Sequence, residues 1–203
     1  TLATGRNRNI GVVMPYVDRW FFAAALEAIE STLIENGYDL TLYNLSGGQE
    51  QRTKIFNDFL LRQRVDAVLT VAVHPNESEL EQLNKMVKPI IAIGGQVHGA
   101  RSLAMDDHYA GKLATEHLLA LGHTRVANIS GMIGSDREFD QANKRKEGYL
   151  EAMHEAGLET RPNWLAETDY TSAGAYKVTK QMLGEPKNAP TAIFCNSDEM
   201  GFG

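Results

Sequence analysis

Residues 9–44, NIGVVMPYVDRWFFAAALEAIESTLIENGYDLTLYN, decide the fold class. Asn9–Met14 is a short, largely apolar run typical of a buried strand, and Phe21–Glu35 repeats apolar residues at helical spacing. Asn36-Gly37 ends this helix, because such a pair supplies the left-handed residue that helix C-termini commonly use. A second strand is predicted at Asp39–Asn44. The stretch therefore predicts a strand–helix–strand unit.

The same alternation continues along the rest of the chain. The strands are near-continuous runs of Val, Ile and Leu, which predicts an α/β fold with parallel sheets covered on both faces. The further predicted strands are Ala67–Val73, Ile90–Ile93, Ser102–Met105, Val126–Ser130, Trp164–Glu167 and Ala192–Cys195. The further predicted helices are Gln49–Arg62, Glu77–Met86, Asp107–Leu121 (closed by Gly122), Gln141–Ala156 (closed by Gly157) and Thr171–Leu183.

The composition is that of a globular protein of one or two domains, with 203 residues, 43% hydrophobic and 23% charged. Lys and Arg total 20 against 26 Asp and Glu, so the net charge is −6. Because a net-acidic chain does not attract the DNA phosphates by its overall charge, this chain alone is not expected to bind DNA. The longest apolar stretch, Trp20–Leu26, is far shorter than the roughly 18–20 residues that span a bilayer. The single cysteine, Cys195, excludes an internal disulfide framework. A protein with a single cysteine is compatible with cytoplasmic residence.

The loops that follow the strands are the candidate sites, because ligands bind at the carboxyl ends of strands in open parallel sheets. The first loop, Pro15–Arg19, lacks the glycines of dinucleotide-binding and phosphate-binding loops. Val73-His74-Pro75 offers no phosphorylatable Asp. Asp106-Asp107 are expected to cap a helix, and the scattered histidines lack partners at metal-ligand spacing. We therefore predict no catalytic constellation, no metal and no cofactor.

Ring side chains are concentrated in the first loop and the start of the helix after it. Tyr16, Trp20 and Phe21 lie next to a carboxylate and a guanidinium, and flat faces beside hydrogen-bonding groups suit a polyhydroxylated ring. The alternative is that some of these rings belong to the core. On helical spacing we expect Phe22 in the core, and Tyr16 with Trp20 or Phe21 at the rim.

Polar residues at later strand exits and helix starts are further candidates. Arg145 lies in the opening turns of a helix after a long polar loop, from which a guanidinium can make bidentate bonds to hydroxyls or a carboxylate. A solvated charged face is the alternative, and spacing does not separate the two. Tyr170 and Ser197-Asp198 follow two other strands, with Asp198 favoured as a helix cap over a ligand contact.

Five motifs, in order and at matching spacing, carry a family resemblance. They are residues 2–15 (LATGRNRNIGVVMP), 121–131 (LGHTRVANISG), 145–149 (RKEGY), Gly157-Leu158 and 190–200 (PTAIFCNSDEM). Residues 2–203 together resemble the effector-binding core of a lactose-repressor/galactose-repressor (LacI/GalR) family transcription regulator.

The resemblance implies a periplasmic-binding-protein-like pair of α/β lobes with an effector in the cleft between them. It predicts a hinge-helix junction at residues 1–8, an N-terminal lobe at 9–134 and a partial, truncated C-terminal lobe at 135–203. It also implies a homodimer behind an N-terminal helix-turn-helix headpiece that binds operator DNA.

The resemblance also implies a set of ligand contacts, in which Arg145 matches the most dependable one and Ser197 stands where relatives often carry Asn. Carried over position by position, the contacts are Tyr16, Trp20, Phe21, Val73, His74, Asp107, Tyr109, Phe139, Arg145, Tyr170, Ser197 and Asp198.

The function predicted from these features is effector sensing, not catalysis. A small ligand, expected from the ring-rich first loop to be a sugar or a sugar derivative, would favour a closed state and thereby control operator binding. One alternative is an extracytoplasmic sugar-binding protein of a transporter. The other, an enzyme on a doubly wound sheet, is disfavoured because an acid/base pair and a phosphate loop are missing.

Overall fold

A computed structural model describes residues 7–62, 64–131 and 140–203, and the chain forms two compact units, Thr1–Ala104 and Met105–Gly203. Most of the predicted hinge junction, residues 1–6, lies outside the described residues, as does the predicted contact Phe139. The predicted lobe boundary after residue 134 differs from this division. The reason is that the strand Val126–Gly131 pairs with strands of the second unit.

The first unit is built on a five-stranded parallel sheet. Its strands are β1 (Asn9–Met14), β2 (Asp39–Asn44), β3 (Ala67–Val71), β4 (Ile90–Ile93) and β5 (Arg101–Leu103), in the spatial order β2-β1-β3-β4-β5. Its α-helices are α1 (Trp20–Glu35), α2 (Gly48–Lys54) and α3 (Glu77–Lys85).

Alternate residues of β1 belong to two different cores, as the two-residue period of a strand requires. Val12 and Met14 cluster with Phe22 of α1, whereas Val13 clusters with Phe56 and Leu83. The sheet is therefore covered on both faces, as the continuous apolar strands predicted.

The second unit has a three-stranded parallel sheet in the order β7-β6-β8. Its strands are β6 (Val126–Gly131), β7 (Leu165–Thr168) and β8 (Ala192–Cys195). Its α-helices are α4 (Asp107–Ala120), α5 (Asp140–Glu155), α6 (Ser172–Leu183) and α7 (Asp198–Gly201). Every residue of β6 is buried, because this strand is central. The predicted α/β class with parallel sheets is confirmed.

Helices α4 and α5 approach each other closely through two glycines. A Cβ on Gly111 would lie 2.1 Å from the carbonyl oxygen of Arg145, and one on Gly148 would lie 2.0 Å from that of His108. Only glycine permits such backbone contact, so these residues fix where α5, and hence Arg145, stands relative to α4.

Several element boundaries differ from the sequence prediction by one or two residues; the strand predicted at 102–105 is found at Arg101–Leu103, for example. Three further differences are informative. The strand β3 ends at Val71 rather than at residue 73, because Ala72 takes a left-handed conformation with φ of 50°. The helix predicted over 49–62 changes to a π-helical turn at Ile55–Phe59 and a 3-10 turn at Leu60–Arg62, a change that periodicity does not reveal. Trp164 lies in a 3-10 turn before β7, where its indole N–H donates to the carbonyl of Asn188.

No helix in the described part of the chain is long and apolar enough to cross a membrane.

Candidate functional site

The loop after β1 presents an aromatic surface. The guanidinium of Arg19 lies 3.7 Å above the ring of Tyr16, and Phe22 makes edge contacts with Tyr16 and with Phe21. Phe22 is buried, as expected, while Trp20 is 64% exposed and Phe21 is 49% exposed. The exposed rings available for stacking are therefore Trp20 and Phe21, with Tyr16 held beneath Arg19.

The loop after β3 is held by a buried ion pair that the sequence did not predict. Arg52 of α2 binds both carboxylate oxygens of Glu79, through Nε to Oε1 at 2.6 Å and Nη2 to Oε2 at 2.9 Å. Nη2 also donates to the carbonyl of His74 at 3.1 Å, and Glu79 forms a capping box with Asn76 at the start of α3. The predicted contact Val73 is buried in the core.

In the second unit, two of the predicted contacts bind each other. Arg145 of α5 donates through Nε to Oδ1 of Asp107 at 2.8 Å, and its Nη2 lies 2.7 Å from the same oxygen. Its Nη1 donates to the backbone carbonyl of Asn196 at 2.6 Å. The guanidinium is therefore fixed at the carboxyl end of β8, next to Ser197. The side chain of Arg145 is 27% exposed and is paired with a carboxylate of the same unit, and its predicted role as a ligand contact stays a prediction.

A buried amide network lies under this ion pair. The side-chain amide of Asn196 donates to Ser130 Oγ at 3.1 Å and to the carbonyl of Ala142 at 3.0 Å, and its Oδ1 accepts from Asn128 at 3.0 Å. Because Asn196 joins β6, β8 and α5 through its side chain, the carbonyl that receives Arg145 has little freedom to move.

The remaining predicted contacts of this unit lie at the helix starts and at the exit of β7. Asp106 caps α4 by accepting from the N–H of Tyr109, as predicted, whereas Asp107, which was expected to share this role, is the first residue inside the helix. The ring of Tyr109 is exposed. The cap of α7 is Ser197, whose Oγ accepts from Met200. The expectation that Asp198 would cap this helix is wrong, because Asp198 is the first residue inside it.

Tyr170, after β7, adopts an unusual backbone conformation. Its φ is +64°, a left-handed value that is uncommon outside glycine, and its ring lies where a side chain on Gly131 would be. The preceding Asp169 accepts hydrogen bonds from Thr171 and Thr168, and these lower the pKa of the Asp169 carboxyl. Strain of this kind clusters at ligand-binding positions, so the exit of β7 is a candidate contact.

Among the described residues, no group of three or more His, Cys, Asp and Glu side chains is arranged to hold a metal ion. The first unit offers exposed rings at its strand exits, and the second offers the guanidinium of Arg145 with neighbouring hydrogen-bonding groups. Such surfaces bind small organic ligands by stacking and hydrogen bonding.

Comparison with known proteins agrees with this architecture. The family model of periplasmic binding proteins and the sugar-binding domain of the LacI family matches residues 7–203. The HTH-type transcriptional repressor PurR of Glaesserella parasuis serovar 5 is 30% identical over all of this chain, which spans 58% of that protein. The catabolite control protein A of Priestia megaterium is 28% identical over all of this chain, which spans 60% of it.

Solved structures share the fold. A LacI family transcriptional regulator from Mycobacterium smegmatis superposes with a TM-score of 0.69 at 28% identity, over 94% of this chain and 69% of that one. The transcriptional regulator CelR in its cellobiose complex superposes with a TM-score of 0.78 at 24% identity, over 97% of this chain and 61% of that one. The chain spans about three-fifths of the length of the curated relatives it matches. Because the family model covers all but the first residues, the chain belongs to the family of periplasmic binding proteins and sugar-binding domains of LacI type.

Proposed function

We propose that the chain is the effector-sensing domain of a LacI-type DNA-binding transcriptional regulator. The observation that carries this proposal is the fixed guanidinium of Arg145 at the exit of β8, where the family resemblance puts a ligand contact. The repressor function of the PurR relative favours a regulator over an extracytoplasmic sugar-binding protein. Cytoplasmic residence is part of the proposal, since a transcription regulator acts on DNA.

The effector proposed is a small carbohydrate or a carbohydrate derivative. In the first unit the exposed rings of Trp20 and Phe21 suit the C–H face of a sugar, and in the second unit Arg145 has donors that suit sugar hydroxyls. The other proposed contacts are Tyr16, Val73, His74, Asp107, Tyr109, Phe139, Tyr170, Ser197 and Asp198. For Val73 the backbone is the part proposed to act, because its side chain is in the core.

In this proposal the effector allosterically controls how a homodimer of the regulator binds operator DNA through an N-terminal helix-turn-helix segment. The net charge of −6 supports the assignment of DNA binding to a separate segment, because an acidic domain does not attract the DNA phosphates. The effector controls DNA binding only by the difference in its affinity for the two states of the regulator.

Calorimetric titration of a saccharide panel that includes cellobiose tests the proposal. We expect one or more neutral saccharides to bind, and Arg145→Ala to weaken that binding by about a hundredfold, since hydrogen bonds to a charged group are worth about 1.5–3 kcal/mol. The matched control is Lys146→Ala, which removes a charge at the next position, where Lys146 pairs with Glu167. Equal affinity in wild type and Arg145→Ala would remove Arg145 from the site.

A further inference from the structure

The charge of the candidate site in the second unit is set by a pair, not by Arg145 alone. The side chains of Asp107 and Arg145 are 10% and 27% exposed, so their charges face each other in a place that water screens poorly. Their sum is zero. The pair therefore does not offer an anion the positive charge that the guanidinium alone would offer.

The hydrogen-bonding groups left over are of both kinds. A guanidinium has five N–H donors. Arg145 donates Nε–H to Asp107 and one N–H of Nη1 to the carbonyl of Asn196, while Nη2 lies 2.7 Å from Oδ1 of Asp107. Among the described residues, at least one N–H on each terminal nitrogen has no protein acceptor and can serve a ligand. In the described part of the chain, Oδ2 of Asp107 accepts no hydrogen bond, so an acceptor remains beside these donors.

Neighbouring donors and an acceptor match hydroxyl groups better than anionic groups. Each hydroxyl donates one hydrogen bond and accepts others, so two adjacent hydroxyls can satisfy both Arg145 and Asp107. An ionised phosphate or carboxylate only accepts, and it would place like charge beside the Asp107 carboxylate.

We propose that Asp107 is a specificity-determining residue: by neutralising Arg145 it selects a neutral, hydroxyl-bearing effector and rejects phosphorylated or carboxylated compounds. This inference rests on the proposed function, since it concerns the effector of the same site. Asp107 is also a positioning residue, because it holds Nε and Nη2 of Arg145 while Asn196 holds Nη1.

The test uses inorganic phosphate as the probe, in a phosphate-free buffer, with wild type, Asp107→Asn and Asp106→Asn. The Asp106→Asn variant is the matched control. It makes the same change in net charge one residue away, and asparagine caps a helix as well as aspartate does, so α4 keeps its N-cap. We expect Asp107→Asn to bind phosphate at least tenfold more tightly than wild type, and Asp106→Asn to match wild type.

Two further variants identify the cause of the change. Asp107→Asn combined with Arg145→Gln is expected to lose the gain in phosphate affinity, because the gain requires an unneutralised guanidinium. Asp107→Glu keeps the negative charge and is expected to show no gain in phosphate affinity. Equal phosphate affinity in Asp107→Asn and Asp106→Asn, or a gain in Asp107→Glu, would overturn the proposal.

A second arm separates this inference from the proposed function. Wild type is titrated with glucose, ribose and cellobiose and with the phosphate esters of glucose and ribose. Tighter binding of an ester than of its neutral parent overturns the role of Asp107 and leaves effector sensing standing. If no saccharide or ester binds, the proposed function fails, whereas the phosphate response of Asp107→Asn still reports how Asp107 controls the charge of the site.

Discussion

The strand-exit loops of the two units are fixed by different means. In the first unit an ion pair between Arg52 and Glu79, with side chains 10% and 7% exposed, holds the carbonyl of His74, and the surface presented at the β1 loop is aromatic. In the second unit the ion pair of Arg145 and Asp107 is itself at the candidate site and rests on a buried amide network.

This difference shows how one fold provides two kinds of contact. A buried guanidinium such as that of Arg52 stabilises a loop, whereas the partly exposed guanidinium of Arg145 is accessible to a ligand. The first unit is therefore suited to stacking and the second to hydrogen bonding.

The largest effect is expected from breaking the buried pair of the first unit. Glu79→Ala leaves the Arg52 guanidinium without its counterion in a buried place, and breaking such a pair typically costs about 3–5 kcal/mol of folding free energy. Urea unfolding of wild type and Glu79→Ala measures this loss of folding free energy. The control is Glu50→Ala, which removes the exposed i,i+4 partner of Lys54 and should leave stability unchanged within error. Equal midpoints for the two variants would show that the buried pair stabilises nothing.

A smaller effect is expected from separating α4 and α5 in the second unit. Gly148→Ala puts a Cβ against the carbonyl of His108, and overpacking of this kind costs about 1–3 kcal/mol. It should also weaken effector binding, because it displaces the helix that carries Arg145. Gly201→Ala is the control, since a Cβ there meets no atom within 4 Å. Unfolding and calorimetric titration measure both effects, and unchanged binding in Gly148→Ala would contradict this account of how Arg145 is placed.

The smallest effect is expected at Tyr149, a core residue of the second unit that takes no part in the site. Tyr149→Phe removes the hydrogen bond from its hydroxyl to the carbonyl of Val126, which is worth about 1 kcal/mol, and leaves effector affinity unchanged. Burial raises the pKa of Tyr149 to about 12.

The raised pKa gives this variant a pH signature. The unfolded chain releases the phenolic proton near pH 10, whereas the folded chain keeps it until about pH 12. The contribution of Tyr149 to the free energy of unfolding is therefore complete below about pH 10, and it is lost as the pH rises from about 10 to about 12. The stability difference between wild type and Tyr149→Phe should shrink over that range in urea unfolding, and a difference that grows would refute this explanation.

Much of the fold could be predicted from the sequence because it rests on local signals. The strands Asn9–Met14, Asp39–Asn44, Ile90–Ile93 and Ala192–Cys195 are found at their predicted bounds, since each is a short, mostly apolar run beside a clear stop. The division into units is not local. The sequence of Val126–Gly131 would suit a strand in either sheet. Only its pairing with β7 and β8 shows that it belongs to the second unit.

The candidate site divides in the same way. Arg145 and Asp107 could be singled out by their position before or early in a helix, but their ion pair joins residues far apart in the chain and required the structure. Arg52 and Glu79 gave no signal beyond that of ordinary charged helix residues. Asn128 and Ser130 were visible as polar residues in a strand expected to be buried, and their partner Asn196 directly follows another strand. This pattern is a signal that could have revealed the buried network.

The most direct test of the central claim is the backbone amide NMR spectrum of the chain titrated with the saccharide that binds in the calorimetric panel. We predict shifts at the strand exits of both units, near Phe21 and His74 in the first and near Arg145, Tyr170 and Ser197 in the second, with the sheet interiors unchanged. Shifts confined to residues away from these exits would contradict the claim that the strand-exit loops hold the effector.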